Sequence, residues 1–189
     1  MTTIFFITHP EVVVDPGRPV PLWHLSAKGI ERMRVFAASG EVRNVRAVWA
    51  SEETKAIEAA GILAGARGIG VAVHPGLHEN DRRATGFLPP AEFERLADEF
   101  FAKPEESVRG WERAVDAQKR VRTAFEAIAG SDAAGDVAIV AHGGVGTLLW
   151  CHLANRPIGR EHDQPFQGHY WSYSTDTRAV SGWRPIAAR

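Results

Sequence analysis

The chain reads as an α/β protein, a three-layer sandwich built on a mainly parallel central sheet. Three observations lead there. Two short apolar runs, Ile4-Phe5-Phe6-Ile7-Thr8 and Val137-Ala138-Ile139-Val140-Ala141, have the length and the β-branched or aromatic character of buried parallel strands. Segments of helical period alternate with such runs along the chain. Each of the two runs is followed at once by a histidine, His9 and His142, where open α/β sheets bind their ligands, beyond the carboxyl ends of the strands.

The elements follow in order. After the first strand, Glu11 to Leu25 carries Pro16, Gly17, Pro19 and Pro21 and is too rich in proline for a helix; it should line the mouth of a site. Ser26 caps a helix in which Ile30, Met33 and Phe36/Ala37 recur at helical spacing until Gly40 stops it. Arg46-Ala47-Val48-Trp49-Ala50 is a second strand, and Ser51 with Glu52 and Glu53 opens a helix to about Ala64. Gly70 to Val73 is a short third strand, followed by a long irregular segment from His74 to Pro90, of the length that functional loops have.

Pro90 begins a helix with Phe93, Leu96 and Phe100, and a longer one follows Glu105, with Val108, Trp111, Val115, Arg122, Phe125 and Ile128 on one face. These two helices are expected to form a cap, spanning about 89–128 of a single domain, 1–189. The strand at Val137–Ala141 leads into a helix to about Leu153. His169–Ser174 and Arg178–Trp183, separated by Thr175-Asp176-Thr177, are expected to form a terminal hairpin.

With 189 residues, 44% hydrophobic and 24% charged, the chain has ordinary globular composition and room for one well-buried domain. A net charge of −1 gives no electrostatic case for nucleic acid or an anionic membrane. The single cysteine, Cys151, lies in an apolar helical stretch and has no internal disulfide partner, which fits a reducing compartment. Met1 to Thr8 has neither a basic leader nor a small-residue cleavage site, and no run approaches eighteen apolar residues. The expectation is a cytoplasmic protein.

The chemistry gathers at the strand ends. Thr8-His9-Pro10-Glu11 follows the first strand, Ser51-Glu52-Glu53-Thr54-Lys55-Ala56 the second, Leu77-His78-Glu79 the third and Ala141-His142-Gly143-Gly144 the fourth. Free N–H groups at the helix that begins near Gly143 suit an anion, so two histidines beside them suggest phosphoryl chemistry. This ordered series resembles the histidine phosphatase superfamily, the phosphoglycerate mutase-like family. Its signature has Arg-His-Gly at the first strand end and Leu-Thr-x-x-Gly at the next helix, matched by Leu25-Ser26-Ala27-Lys28-Gly29. It continues with Ser-x-x-x-Arg-Ala-x-x-Thr-Ala, approximated by Ser51 to Ala60, then Leu-x-Glu and a late His-Gly-Gly.

The resemblance implies a phosphoglycerate mutase-like fold and a phosphohistidine mechanism with no cofactor and no metal. His9 attacks phosphorus, Glu79 protonates the leaving oxygen and later activates water, and His142 with the backbone near Gly143 steadies the phosphoryl oxygens. Three departures bear on activity: Thr8 and Lys55 stand where the family has arginines, and Pro10, for the usual glycine, removes a backbone N–H. A guanidinium binds phosphate through two charged hydrogen bonds, each worth about 1.5–3 kcal/mol. Arg18, Arg82 and Arg83 are candidates to restore that charge beside Thr8 and Lys55.

The expected activity is a metal-independent phosphatase acting on a phosphorylated small molecule. One rival is a catalytically weak phosphate-binding or regulatory protein on the same fold, and another is a phosphomutase. No nucleic-acid or membrane partner is expected, and a homodimer is compatible with the sequence. A metal cluster of His74, His78, Glu79, His162, Asp163 and His169 is disfavoured, because Pro75-Gly76 keeps His74 and His78 off a common helical face. The polar and aromatic segment from His162 to Trp171 is either a selector at the site mouth or an ordinary loop entering the last hairpin.

Overall fold

The computed structural model describes residues 2–131 and 135–189. Its six strands are β1 (Thr3–Thr8), β2 (Val45–Ala50), β3 (Val71–Val73), β4 (Asp136–Ala141), β5 (His169–Ser174) and β6 (Arg184–Pro185), in the sheet order β3-β2-β4-β1-β5-β6. The first four run parallel; β5 and β6 join antiparallel at one edge. Five α-helices accompany them: α1 (Ala27–Ala38), α2 (Thr54–Arg67), α3 (Pro90–Ala102), α4 (Ala114–Ala129) and α5 (Gly143–Leu153). Among the described residues, no helix is long and apolar enough to cross a membrane.

Strand alternation divides the core. Phe5 and Ile7 of β1 and Ala138 and Val140 of β4 face α1 and α2. Ile4, Phe6, Val137 and Ile139 face the other way, onto α3, α4 and α5. This is the expected mainly parallel three-layer sandwich. Phe6 stacks on Trp171 of β5 with centroids 4.9 Å apart, tying the antiparallel edge to that second layer.

Register sets the site. β1 and β4 are adjacent with Thr8 opposite Ala141, so the next residues, His9 and His142, leave the sheet side by side. β2 lies on the far side of β4 with Ala50 opposite Val140, which brings Ser51 beside His142.

Two expectations of detail are corrected. The last strand pair is not His169–Ser174 with Arg178–Trp183: that segment makes only a single bridge, Tyr173 to Val180, and β6 lies further on. Arg178 has φ of 56°, a left-handed turn that breaks strand geometry at its start. The buried face of α4 is Ala114, Ala117, Val121, Ala124, Phe125 and Ile128, while Arg122 is exposed and pairs with Glu126. Val108 and Trp111 belong to a separate turn, because Arg109 (φ 49°) and Gly110 (φ 82°) interrupt the helical phase before α4 begins. α4 is seated on the sheet beside α5 and shares its core; α3 packs at the margin of the same cluster through Leu96, Phe100 and Phe101.

Candidate active site

His9 and His142 meet at the carboxyl edge of the sheet, their rings edge to face with centroids 5.3 Å apart. His9 Nδ1 lies 2.9 Å from the Pro10 carbonyl, the geometry of an Nδ1–H donor, which leaves the Nε2 lone pair for an electrophile. Burial first, and then the Lys55 charge, push the His9 pKa down to about 4, so the ring is neutral at neutral pH. That is the state a nucleophile needs.

His142 is wholly enclosed. Its Nε2 lies 2.8 Å from Ser51 Oγ and 3.4 Å from Glu53 Oε1, while its Nδ1 is buried with no hydrogen-bond partner among the described residues. Burial holds the His142 pKa well below the usual histidine value; Glu53 opposes that shift, and the charges of His9, Lys55 and Arg82 add to it.

Glu53 is the residue that sequence reasoning missed. It looked like an acidic residue at a helix start, and it does occupy the N-cap of α2, yet its side chain caps nothing there. Its Oε2 instead pairs with Lys55, and its Oε1 accepts the Glu79 N–H at 3.0 Å and faces His142. Burial alone would raise this carboxyl; His142 and Lys55 outweigh it and hold the group far below the usual carboxylate range. Lys55, itself buried, also donates to the Val20 carbonyl at 2.9 Å, which ties the first loop to the site.

Glu79 closes the start of α5. Its Oε2 accepts the Gly144 N–H at 3.0 Å, and its Oε1 accepts those of Val145 at 2.9 Å and Asn80 at 3.0 Å. A Cβ at Gly144 would come within 2.7 Å of Glu79 Oε1, so only glycine lets the carboxyl this close to the helix. Gly143 N–H finds no acceptor among the described residues. It is the first amide of α5 and the one left for an anion.

The comparisons with known proteins bear on this arrangement. The family model described as histidine phosphatase superfamily (branch 1) matches residues 21–184. The chain belongs to the histidine phosphatase superfamily. Among solved structures, Bacillus stearothermophilus YhfR is similar with a TM-score of 0.81 at 22% identity, over 96% of this chain and 95% of that one. A mycobacterial glucosyl-3-phosphoglycerate phosphatase in complex with inorganic phosphate has a TM-score of 0.77 at 20% identity, over 97% and 95% of the two chains. An Entamoeba histolytica phosphoserine phosphatase in complex with 3-phosphoglyceric acid has a TM-score of 0.76 at 14% identity, over 97% of each. No curated protein matches the chain. These likenesses are to a phosphoglycerate mutase-like fold.

The match to the superfamily begins downstream of His9, in keeping with the divergence of Thr8-His9-Pro10 from Arg-His-Gly. Thr8 is 1% exposed and turned away from solvent: its hydroxyl donates to Gln164 Oε1 at 2.6 Å and accepts the His169 N–H at 3.0 Å. Gln164 is a second residue not singled out in sequence, although it lies in the segment offered as a selector. Its amide lies between the end of β1 and the start of α5, so close to Gly143 that a Cβ there would collide with Nε2. Asp163 holds it in place, accepting the Gln164 N–H at 2.8 Å and the Thr147 hydroxyl at 2.7 Å. The polar and aromatic segment from His162 to Trp171 does carry Gln164 to the end of β1, but nothing local singles out Gln164 within it, because its contact with Thr8 spans 156 positions.

The three candidate arginines separate cleanly. Arg83 is exposed and forms a bidentate pair with Asp81, and Arg18 is exposed and pairs with Asp15 at 3.6 Å. Arg82 has no carboxylate partner among the described residues. Its guanidinium lies over the rings of Phe93 (4.8 Å) and Trp111 (5.6 Å), and its charge lowers the pKa of both His9 and His142.

Proposed function

We propose that the chain is a metal-independent phosphatase of phosphorylated small molecules, working in the cytoplasm through a phosphohistidine on His9. The observation that carries this reading is the neutral His9, fixed through Nδ1 by the Pro10 carbonyl and edge-on to a second buried histidine. His9 Nε2 attacks phosphorus as the ester P–O bond breaks, and the departing oxygen takes a proton from Glu79. Water then attacks the phosphoryl group, Glu79 recovers a proton, and the N–P bond breaks to release phosphate.

His142, the free Gly143 N–H and Arg82 hold the charge that builds on the phosphoryl oxygens. Arg82 takes the part of the guanidinium missing at Thr8. Glu79 stands in the resting site as an acceptor of three N–H bonds. To act as the acid it must bind a proton and release Gly144 or Val145. One observation favours the rival reading of a phosphate-binding protein without turnover: Glu53 neutralises Lys55, leaving Arg82 as the only uncompensated cation among these groups.

A phosphomonoester panel assayed with excess EDTA decides between the two. Turnover that persists in EDTA is expected, and Glu79→Gln is expected to slow alkyl phosphates about 10²–10⁴-fold but aryl phosphates much less, because a good leaving group needs little protonation. Binding of phosphate with no turnover of any ester would leave the binding-protein reading. Equal slowing of both ester classes would remove Glu79 from the acid role.

A further inference from the structure

We propose that Glu53 is a positioning residue that makes His142 a proton-coupled oxyanion receptor: a dianion entering the site brings one proton from solvent onto the His142 ring. The inference rests on the phosphoryl reading above and concerns how this divergent site gathers charge. Resting His142 is enclosed and neutral, with Nε2 directed at Ser51 and Glu53 and with Nδ1 buried and unpaired.

A neutral imidazole carries one N–H, and a phosphoryl oxygen beside the ring presents a second acceptor. If that hydrogen serves the oxyanion at Nδ1, the Nε2 lone pair is left facing the Glu53 carboxylate. If it stays on Nε2, the Nδ1 lone pair faces the oxyanion. A neutral Nδ1–H ring can take the Ser51 hydroxyl at Nε2, but it still turns that lone pair on the Glu53 carboxylate; the imidazolium gives both anions a donor, with Nε2–H toward Glu53 and Nδ1–H toward the ligand. Burial resists this charge while the site is empty; the dianion supplies the missing stabilisation.

The split of the Glu53 carboxyl makes the arrangement specific. Oε2 is taken by Lys55, while Oε1 is anchored on the Glu79 N–H and faces His142. A simple counterion for Lys55 would need only the first of these. The other charged or titratable groups around His142 are His9 from β1, Lys55 from α2, Arg82 from the loop before α3, and Glu79 at the start of α5, with Asp163 beyond Glu79. His9, Glu79 and Asp163 are the groups among these that compete with His142 for the proton.

The test uses tungstate, a tetrahedral dianion with no proton to give or take near neutral pH. Calorimetric titration of the whole protein at pH 7, in buffers of different ionisation enthalpy, should show close to one proton taken up per tungstate bound. Affinity should fall about tenfold per pH unit above neutrality. Nitrogen-15 spectra should place the new proton on His142, with His9 still neutral. In Glu53→Gln the uptake and the pH slope should collapse, and Glu53→Asp should restore most of both.

Tungstate bound by the wild type without proton uptake, or uptake traced by the spectra to His9 or to a carboxyl, overturns the inference and leaves the phosphatase reading standing. Neither measurement depends on a variant folding. Full uptake retained in a folded Glu53→Gln also overturns it. A wild type that binds no tungstate and turns over no phosphomonoester overturns the inference and the phosphatase reading together.

Discussion

His9→Ala is expected to remove phosphomonoester turnover and phosphoenzyme together, leaving a folded protein that still binds oxyanions. The nucleophile forms the only covalent link to phosphorus in the mechanism, so its loss removes the pathway and does not merely slow a step. Replacement of a nucleophile that works as a unit with its neighbours costs on the order of 10⁶ in kcat. The residue is largely but not fully buried and makes one polar contact, to the Pro10 carbonyl, so its removal should cost little stability. Steady-state rates and thermal melts on the same preparation check both halves. Undiminished turnover by the alanine variant would exclude the phosphohistidine route, and turnover that became EDTA-sensitive would point to a metal mechanism.

Thr8→Arg is expected to destabilise the protein strongly and to fail to tighten oxyanion binding. Sequence comparison alone would favour the opposite, since it restores the family's guanidinium. The structure gives the reason: Thr8 is 1% exposed, its hydroxyl is bonded on both sides, and the Gln164 amide fills the space an arginine would enter. A charge forced into that packing without a carboxylate partner costs on the order of 3–5 kcal/mol. For a chain of this length that lowers Tm by roughly 6–20 °C. Thr8→Arg combined with Gln164→Gly opens the space and should recover much of the loss while tightening phosphate. A single Thr8→Arg variant as stable as wild type, with tighter phosphate binding, would show that Gln164 does not fill the arginine's place.

Much of this fold was legible because its signals are local. The apolar runs at Ile4–Thr8 and Val137–Ala141 specify strands by composition, and the register of β1 with β4 then carries His9 and His142 to the same edge. Ser26 caps α1 as its sequence position suggested, accepting the Gly29 N–H at 3.1 Å. The phase of α4 was not legible, because the left-handed turn at Arg109 and Gly110 resets the helical count without leaving a gap in the apolar pattern. β6 was missed for a similar reason: Arg178 breaks the strand that Thr175-Asp176-Thr177 seemed to announce.

At the site, motifs name residues at the strand ends, whereas the residues that packing brings to them carry no motif of their own. Glu53 looks in sequence like any acid in the first turn of a helix, and its role depends on where Lys55, Glu79 and His142 arrive. Gln164 comes to Thr8 from a loop held by Asp163, Thr147 and the buried Arg32, whose guanidinium binds the carbonyls of Gln167 and Gly168. None of these links has a sequence period. Arg82 differs from Arg83 by one position, and what separates them is contact: Arg82 lies over the rings of Phe93 and Trp111, while Arg83 pairs with Asp81 at the surface.

The central claim is that phosphorus passes through His9 Nε2, and trapping that species tests it most directly. The protein should be mixed with a ³²P-labelled phosphomonoester, quenched in alkali within one turnover, digested and mapped. Label that survives alkali, is lost in acid and lies on the peptide containing His9, in an amount approaching one per chain and absent from His9→Ala, is the predicted result. Rapid turnover of the ester with no such label, or label of that kind on His142 or any other residue, would contradict the account.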